Sequence, residues 1–150
     1  MRRGRAALPV LLALLGTVAC ATRAPAGADQ QVQSAFGRYC ALVLAMDHAG
    51  IAAMFSSDGE IVNAGQAPIR GPAAINAFLA GFADYRVLAY SADAPQTHVT
   101  GDYASLQSIY HEQVRLPDGN VVAVSGHLEA LWRRSPRGRW YVTRMATRPL

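Results

Sequence analysis

From Tyr85 to its end the chain is a succession of extended runs cut by turn signals, and this succession limits the fold to one built around a sheet. Tyr85 to Ala92 is the first run. His98-Val99 to Val114 holds the second, entered near Asp102. Pro117-Asp118-Gly119-Asn120 combines the residue types that favour tight turns, and it separates the second run from Val121 to Arg134. Pro136-Arg137-Gly138 then turns the chain into Trp140 to Thr147. The spacing predicts four long strands joined as a meander.

The residues before this meander read differently. Val32, Phe36, Tyr39, Cys40, Val43 and Leu44 recur at helical spacing, which predicts an amphipathic first helix from Gln31 onward. Asp47 is placed to cap a short second helix, His48 to Phe55, by accepting a backbone N–H bond. Ser56 to Gly59 is expected to end that helix and turn the chain. Glu60 to Asn63 is then extended, Gly65 to Pro68 bends, and Ile69-Arg70 returns. Gly71-Pro72 opens a third helix, because proline in a first turn gives up only an N–H that has no helical partner. Its expected buried stripe is Ile75, Phe78, Leu79 and Phe82.

Helices followed by a sheet predict an α+β fold: a cone-shaped, strongly curved mixed or antiparallel sheet wrapped around N-terminal helices. Apolar residues make up 51% of the chain, enough to fill a core. The concave face and the helices would enclose a place for a small molecule. The outer face calls for a cover, and a second copy, giving a homodimer, is the economical one.

Residues 1–20 read as a signal peptide. Arg2, Arg3 and Arg5 precede an apolar stretch from Ala6 to Leu15, and Gly16-Thr17-Val18-Ala19-Cys20 is a small-residue exit. The apolar stretch falls short of the roughly 20 residues that a membrane crossing needs. Val18-Ala19-Cys20 resembles a bacterial lipobox, whose cysteine is acylated, with Thr17 in place of the usual leucine. Conventional cleavage near Ala19 or Ala21 is the alternative. Residues 21–30 are rich in Ala, Pro and Gly and read as a flexible tether. The leader also explains the charge: of 14 basic residues set against 10 acidic ones, three lie in the first five positions, so the remainder is nearly neutral. A nucleic-acid partner is not expected, and membrane contact is expected only through a lipid on Cys20. The location implied is the periplasm or cell envelope.

Three segments carry a family resemblance across residues 31–148. Ala53-Met54-Phe55-Ser56-Ser57-Asp58-Gly59-Glu60-Ile61-Val62 resembles the Leu-Phe-x-x-Asp-Ala-x-Val segment of the SnoaL-like superfamily. This group is also called ketosteroid isomerase-like or nuclear transport factor two-like. Ile69-Arg70-Gly71-Pro72-Ala73-Ala74-Ile75 is similar to its next helix start. Leu131-Trp132-Arg133-Arg134 with Gly138-Arg139-Trp140-Tyr141-Val142-Thr143-Arg144 is similar to its closing hairpin. The resemblance implies a cone with a central pocket and frequent dimerisation through the sheet, but it does not fix an activity. It also implies an aspartate base in the first small strand of the isomerase-like members, and the position that matches it here is Asn63. An amide has no usable basicity near neutral pH, so that route is closed.

The candidate ligand contacts are Asn63, Tyr110, His127 and Arg144. Each has a plainer alternative: a strand-end residue for Asn63, a solvated outer face for His127, and core or edge packing for Tyr110 and Arg144. His127 shares a strand face with Glu129, and Arg144 is expected on the face of Trp140 and Val142. Tyr103 is a further pocket candidate. His111 and Glu112 point to opposite faces, so they cannot act as a pair. Cys40 lies on the apolar stripe and reads as buried. No metal-ligand spacing, Ser-His-Asp signature or phosphate-cradling glycine loop is present, and no cofactor is expected. The function expected is an exported domain that binds a small, partly apolar molecule without isomerase chemistry. The alternatives are an enzyme of the same fold using another base (His127 with Glu129, or Tyr110) and a dimeric interaction module of the cell envelope.

Overall fold

The computed structural model describes residues 27–150, so the leader, Cys20 and most of the expected tether lie outside the described residues. The chain runs α1 (Ala28–Ala45), α2 (His48–Ala52), β1 (Phe55–Asn63), β2 (Ile69–Arg70), α3 (Pro72–Ala80), β3 (Arg86–Ala92), β4 (Gln96–Thr100), β5 (Tyr103–Arg115), β6 (Val121–Arg134) and β7 (Trp140–Pro149). Among the described residues the strands form one sheet in the order β2-β1-β7-β6-β5-β3, with β4 also on β5. Every pairing is antiparallel except β1 with β7, which is parallel. The fold is the expected α+β arrangement, a curved mixed sheet with the helices against it.

Local chemistry accounts for the helices. In α1, Val32 and Phe36 are one turn apart and buried, with Tyr39, Cys40 and Val43 packed beside them. The Asp47 carboxylate accepts the Gly50 N–H at 2.8 Å and caps α2. Gly71, at φ 80°, places Pro72 in the first turn of α3. A single apolar layer joins these helices to the sheet: Trp132, Leu106, Leu128, Val142 and Met145 from the strands meet Val32 and Ile75, and all are at most 2% exposed. The Trp140 indole N–H donates to the Gln31 side-chain oxygen at 3.2 Å and ties the last hairpin to α1.

The structure departs from the sequence expectations at five places. Helix α1 starts at Ala28, inside the segment expected as tether. Helix α2 ends at Ala52, and Ser56 to Gly59 is part of β1 rather than a turn. The β1–β7 pairing is irregular between Phe55 and Glu60, and there the buried Gly59 admits the Val142 carbonyl oxygen to within 2.8 Å of where a Cβ would stand. The second long run is two strands, β4 and β5, joined at Gly101-Asp102, with Gly101 at φ 60° supplying the tight turn. Because β3 and β4 both pair with β5, the strands do not form a simple meander. Finally, α3 stops at Ala80, so Phe82 falls off the helical stripe and is 41% exposed, while Ile75 alone of the four stripe residues is fully buried.

Candidate functional site

The concave side of β3, β5 and β6 and the facing sides of the helices enclose a cavity of about 420 Å³. Strand alternation directs Tyr110, Glu112 and Val114 of β5 and Val122 and Val124 of β6 into it. Aromatic rings form much of the wall. Phe36 stacks on Tyr39 at 6.1 Å between centroids, Tyr39 meets Tyr90 edge-on at 6.5 Å, and Tyr90 stacks on Tyr110 at 6.1 Å. Tyr110 lies along the sheet because its cross-strand partner is Gly126. A Cβ at Gly126 would stand 2.7 Å from the Tyr110 ring and 2.5 Å from the Arg148 carbonyl oxygen. A side chain there would push the phenol out of place.

Glu112, paired with Tyr90 across the strands, supplies the carboxylate of the cavity. Burial pushes its carboxyl above the usual carboxylate range. Burial likewise pushes the phenols of Tyr39, Tyr90 and Tyr110 upward, and the Glu112 charge adds to the shift at all three. For Tyr39 a side-chain hydrogen bond with Tyr90 pulls the other way without prevailing. The three phenols therefore stay protonated at neutral pH. Among the described residues no arginine or lysine lines the cavity; its other polar wall groups include Asn63, Thr147 and His48.

Of the residues expected to contact a ligand, the structure brings Asn63 and Tyr110 to this cavity and leaves two outside it. The Asn63 amide is fixed: its oxygen accepts the Thr147 hydroxyl at 3.0 Å, and its nitrogen donates to the Gln66 side-chain oxygen at 3.4 Å. His127 lies on the other face of β6 in a separate hollow with Glu129 and Arg148, so the pair proposed as a base is not in the cone. Arg144 is exposed and sits 3.8 Å from Glu60, which also accepts from Arg70 at 2.9 Å. The cause is a bulge. Trp132 pairs with Val142 but Leu131 pairs with Arg144, so Thr143 is an extra residue and every later side chain of β7 changes face relative to the sequence expectation. Tyr103 is 64% exposed and is not a pocket residue. Cys40 is half-buried rather than fully so, and burial pushes its thiol upward.

The sequence reading overlooked Tyr39, Tyr90 and Glu112 as site residues. The available signal was the alternation of β5, since Glu112 is two residues from Tyr110 and must share its face. It also found no Ser-His-Asp signature, yet His111 Nδ1 lies 2.9 Å from Ser125 Oγ and His111 Nε2 lies 3.4 Å from Asp93. This trio sits on the exposed outer face and contributes nothing to the cavity. Among the described residues no three His, Cys, Asp or Glu side chains converge to hold a metal ion, and no helix is long and apolar enough to cross a membrane.

A family model described as a SnoaL-like domain matches residues 26–146. The fold is similar to that of a ketosteroid isomerase-like protein from Erwinia carotovora atroseptica, with TM-score 0.73 and 18% identity over 81% of this chain and 95% of that one. A nuclear transport factor two-like protein with a cystatin-like fold from Novosphingobium aromaticivorans gives TM-score 0.69 and 23% identity over 81% and 80%. A protein from Catenulispora acidiphila, solved in complex with S-DNPA, gives TM-score 0.68 and 16% identity over 79% and 90%. Identities this low establish a shared fold and nothing finer. No curated protein matches the sequence closely enough to lend it an activity.

Proposed function

The chain belongs to the SnoaL-like domain family, and from that premise we propose that it binds a small, partly apolar molecule in its cone without isomerase-type catalysis. The carrying observation is the hollow, aromatic-lined cavity of about 420 Å³. A cone serving only as a scaffold would be filled by its own side chains. A protein of similar fold from Catenulispora acidiphila was solved in complex with S-DNPA, which supports looking for a ligand here. The absence of isomerase chemistry rests on Asn63, whose amide is locked by Thr147 and Gln66 where the isomerase-like members place an aspartate base.

Thermal unfolding of the protein across a broad metabolite set tests this reading. At least one partly apolar compound is expected to raise Tm in a concentration-dependent way, since a ligand that binds only the folded state stabilises it by mass action. A complete screen with no shift would overturn it.

The export signal at residues 1–20 and the Cys20 lipobox lead us to place the domain at the cell envelope, anchored by a lipid. Incorporation of labelled palmitate, lost in Cys20→Ala, is the expected result, and a labelled variant would sink the anchor. The open outer sheet face, with Tyr103 64% and Leu131 39% exposed, fits a second copy of the chain. Sedimentation showing only monomer would exclude it.

A further inference from the structure

The cavity wall combines two features that a purely apolar ligand does not use. The Glu112 carboxyl group has no hydrogen-bond or ion-pair partner among the described residues, and no arginine or lysine shares its cavity. Arg86, beside the wall residue Val87, donates from its guanidinium to the Met46 sulfur at 3.8 Å. A carboxylate drawn partly out of water without a counter-charge is costly, and proteins ordinarily pair such groups. Tyr90 is the cross-strand partner of Glu112, Tyr110 shares its strand face two residues away and stacks on Tyr90 at 6.1 Å, and Tyr39 meets Tyr90 edge-on at 6.5 Å. Aromatic faces carry negative electrostatic potential and attract cations, most strongly where water is scarce. Both features favour positive charge and disfavour anions.

We infer that the cone is an organic-cation site: its ligand carries an amine or quaternary ammonium group that sits against Glu112 and the three tyrosine rings, with the apolar remainder toward Phe78, Val114 and Val124. A metal ion is not the better fit, because among the described residues Glu112 belongs to no group of three His, Cys, Asp or Glu side chains that could hold one. The inference rests on the ligand-binding reading above and adds the chemical class of the ligand.

The test uses the full chain and displacement of the neutral fluorophore N-phenylnaphthylamine by two probes of the same shape: benzyltrimethylammonium and its uncharged carbon isostere, neopentylbenzene. On the unsubstituted protein the cation is expected to displace the fluorophore at about tenfold lower concentration than the isostere. Glu112→Gln is expected to narrow the gap between the two midpoints by weakening the cation alone, and Glu112→Asp, which keeps the charge, to retain the preference. Circular dichroism confirms that each variant is folded. If Glu112→Gln does not fold, the probe comparison on the unsubstituted protein and on Glu112→Asp still decides. Equal midpoints on the unsubstituted protein, or a preference undiminished in Glu112→Gln, would overturn the inference while leaving ligand binding intact. A fluorophore that never binds would overturn both readings together.

Discussion

Glu112 is the residue on which the site's electrostatics turn. Its carboxyl is raised by burial, so on ascending pH the unfolded chain ionises it first. The advantage of holding it protonated is fully present below the ordinary carboxylate range and is lost as pH climbs through the higher folded-state value. Stability therefore falls with rising pH across that window on account of this group. Glu112→Gln cannot ionise and escapes the loss, so its Tm should gain on the unsubstituted protein as pH rises from the ordinary carboxylate range through the raised folded-state value. Parallel Tm-against-pH curves for the two proteins would contradict the assignment. Asn63 illustrates how a residue type and its place differ in legibility. That an amide cannot act as a base is readable from the letter alone, but its fixation by Thr147 depends on the parallel pairing of β1 with β7, in which residue 63 meets residue 147.

At the scale of elements, caps and bulges decide what reaches the cavity. The Asp47 cap starts α2 directly after α1 reverses direction at Met46, which takes the left-handed conformation at φ 54°. This corner carries Met46, His48 and Ile51 to the cavity wall. Asp47→Ala removes the accepting oxygen and should cost about 1 kcal/mol in urea unfolding; an unchanged midpoint would mean the cap is not needed. Strand β6 is legible from end to end, because Val121 to Arg134 lies between two strong turn signals. The bulge at Thr143 is not, since nothing in a string of β-compatible residues marks which one is left unpaired, and it moves Arg144 from an expected inward position to solvent. The hairpin at Gly101-Asp102 is similarly half-visible: Asp102 marks the entry to a strand, but a single glycine beside it does not announce the turn that creates β4. Phe82 was misplaced for a related reason, because helical spacing continues in the sequence past Ala80, where the helix itself ends.

The whole molecule is a division of labour between a packed end and a hollow end. Leu128, Ala130, Trp132 and Leu106 fill one end of the cone, while farther along the same strands Val122, Val124, Tyr110 and Glu112 face open space. The packed end carries the stability that lets the other remain unfilled, as cavities cost dispersion contacts that must be made up elsewhere. Cone and pocket followed from the order of helices and strands together with the family resemblance, whereas which polar groups enter the pocket depended on strand registers. The central claim, that this hollow is a binding site, is tested most directly by titrating N-phenylnaphthylamine into the unsubstituted protein and into Val43→Trp, where an indole replaces a wall valine. Saturable, blue-shifted emission on the unsubstituted protein and its loss in the folded variant is the predicted result. No emission change on the unsubstituted protein, or an identical titration with Val43→Trp, would contradict the account.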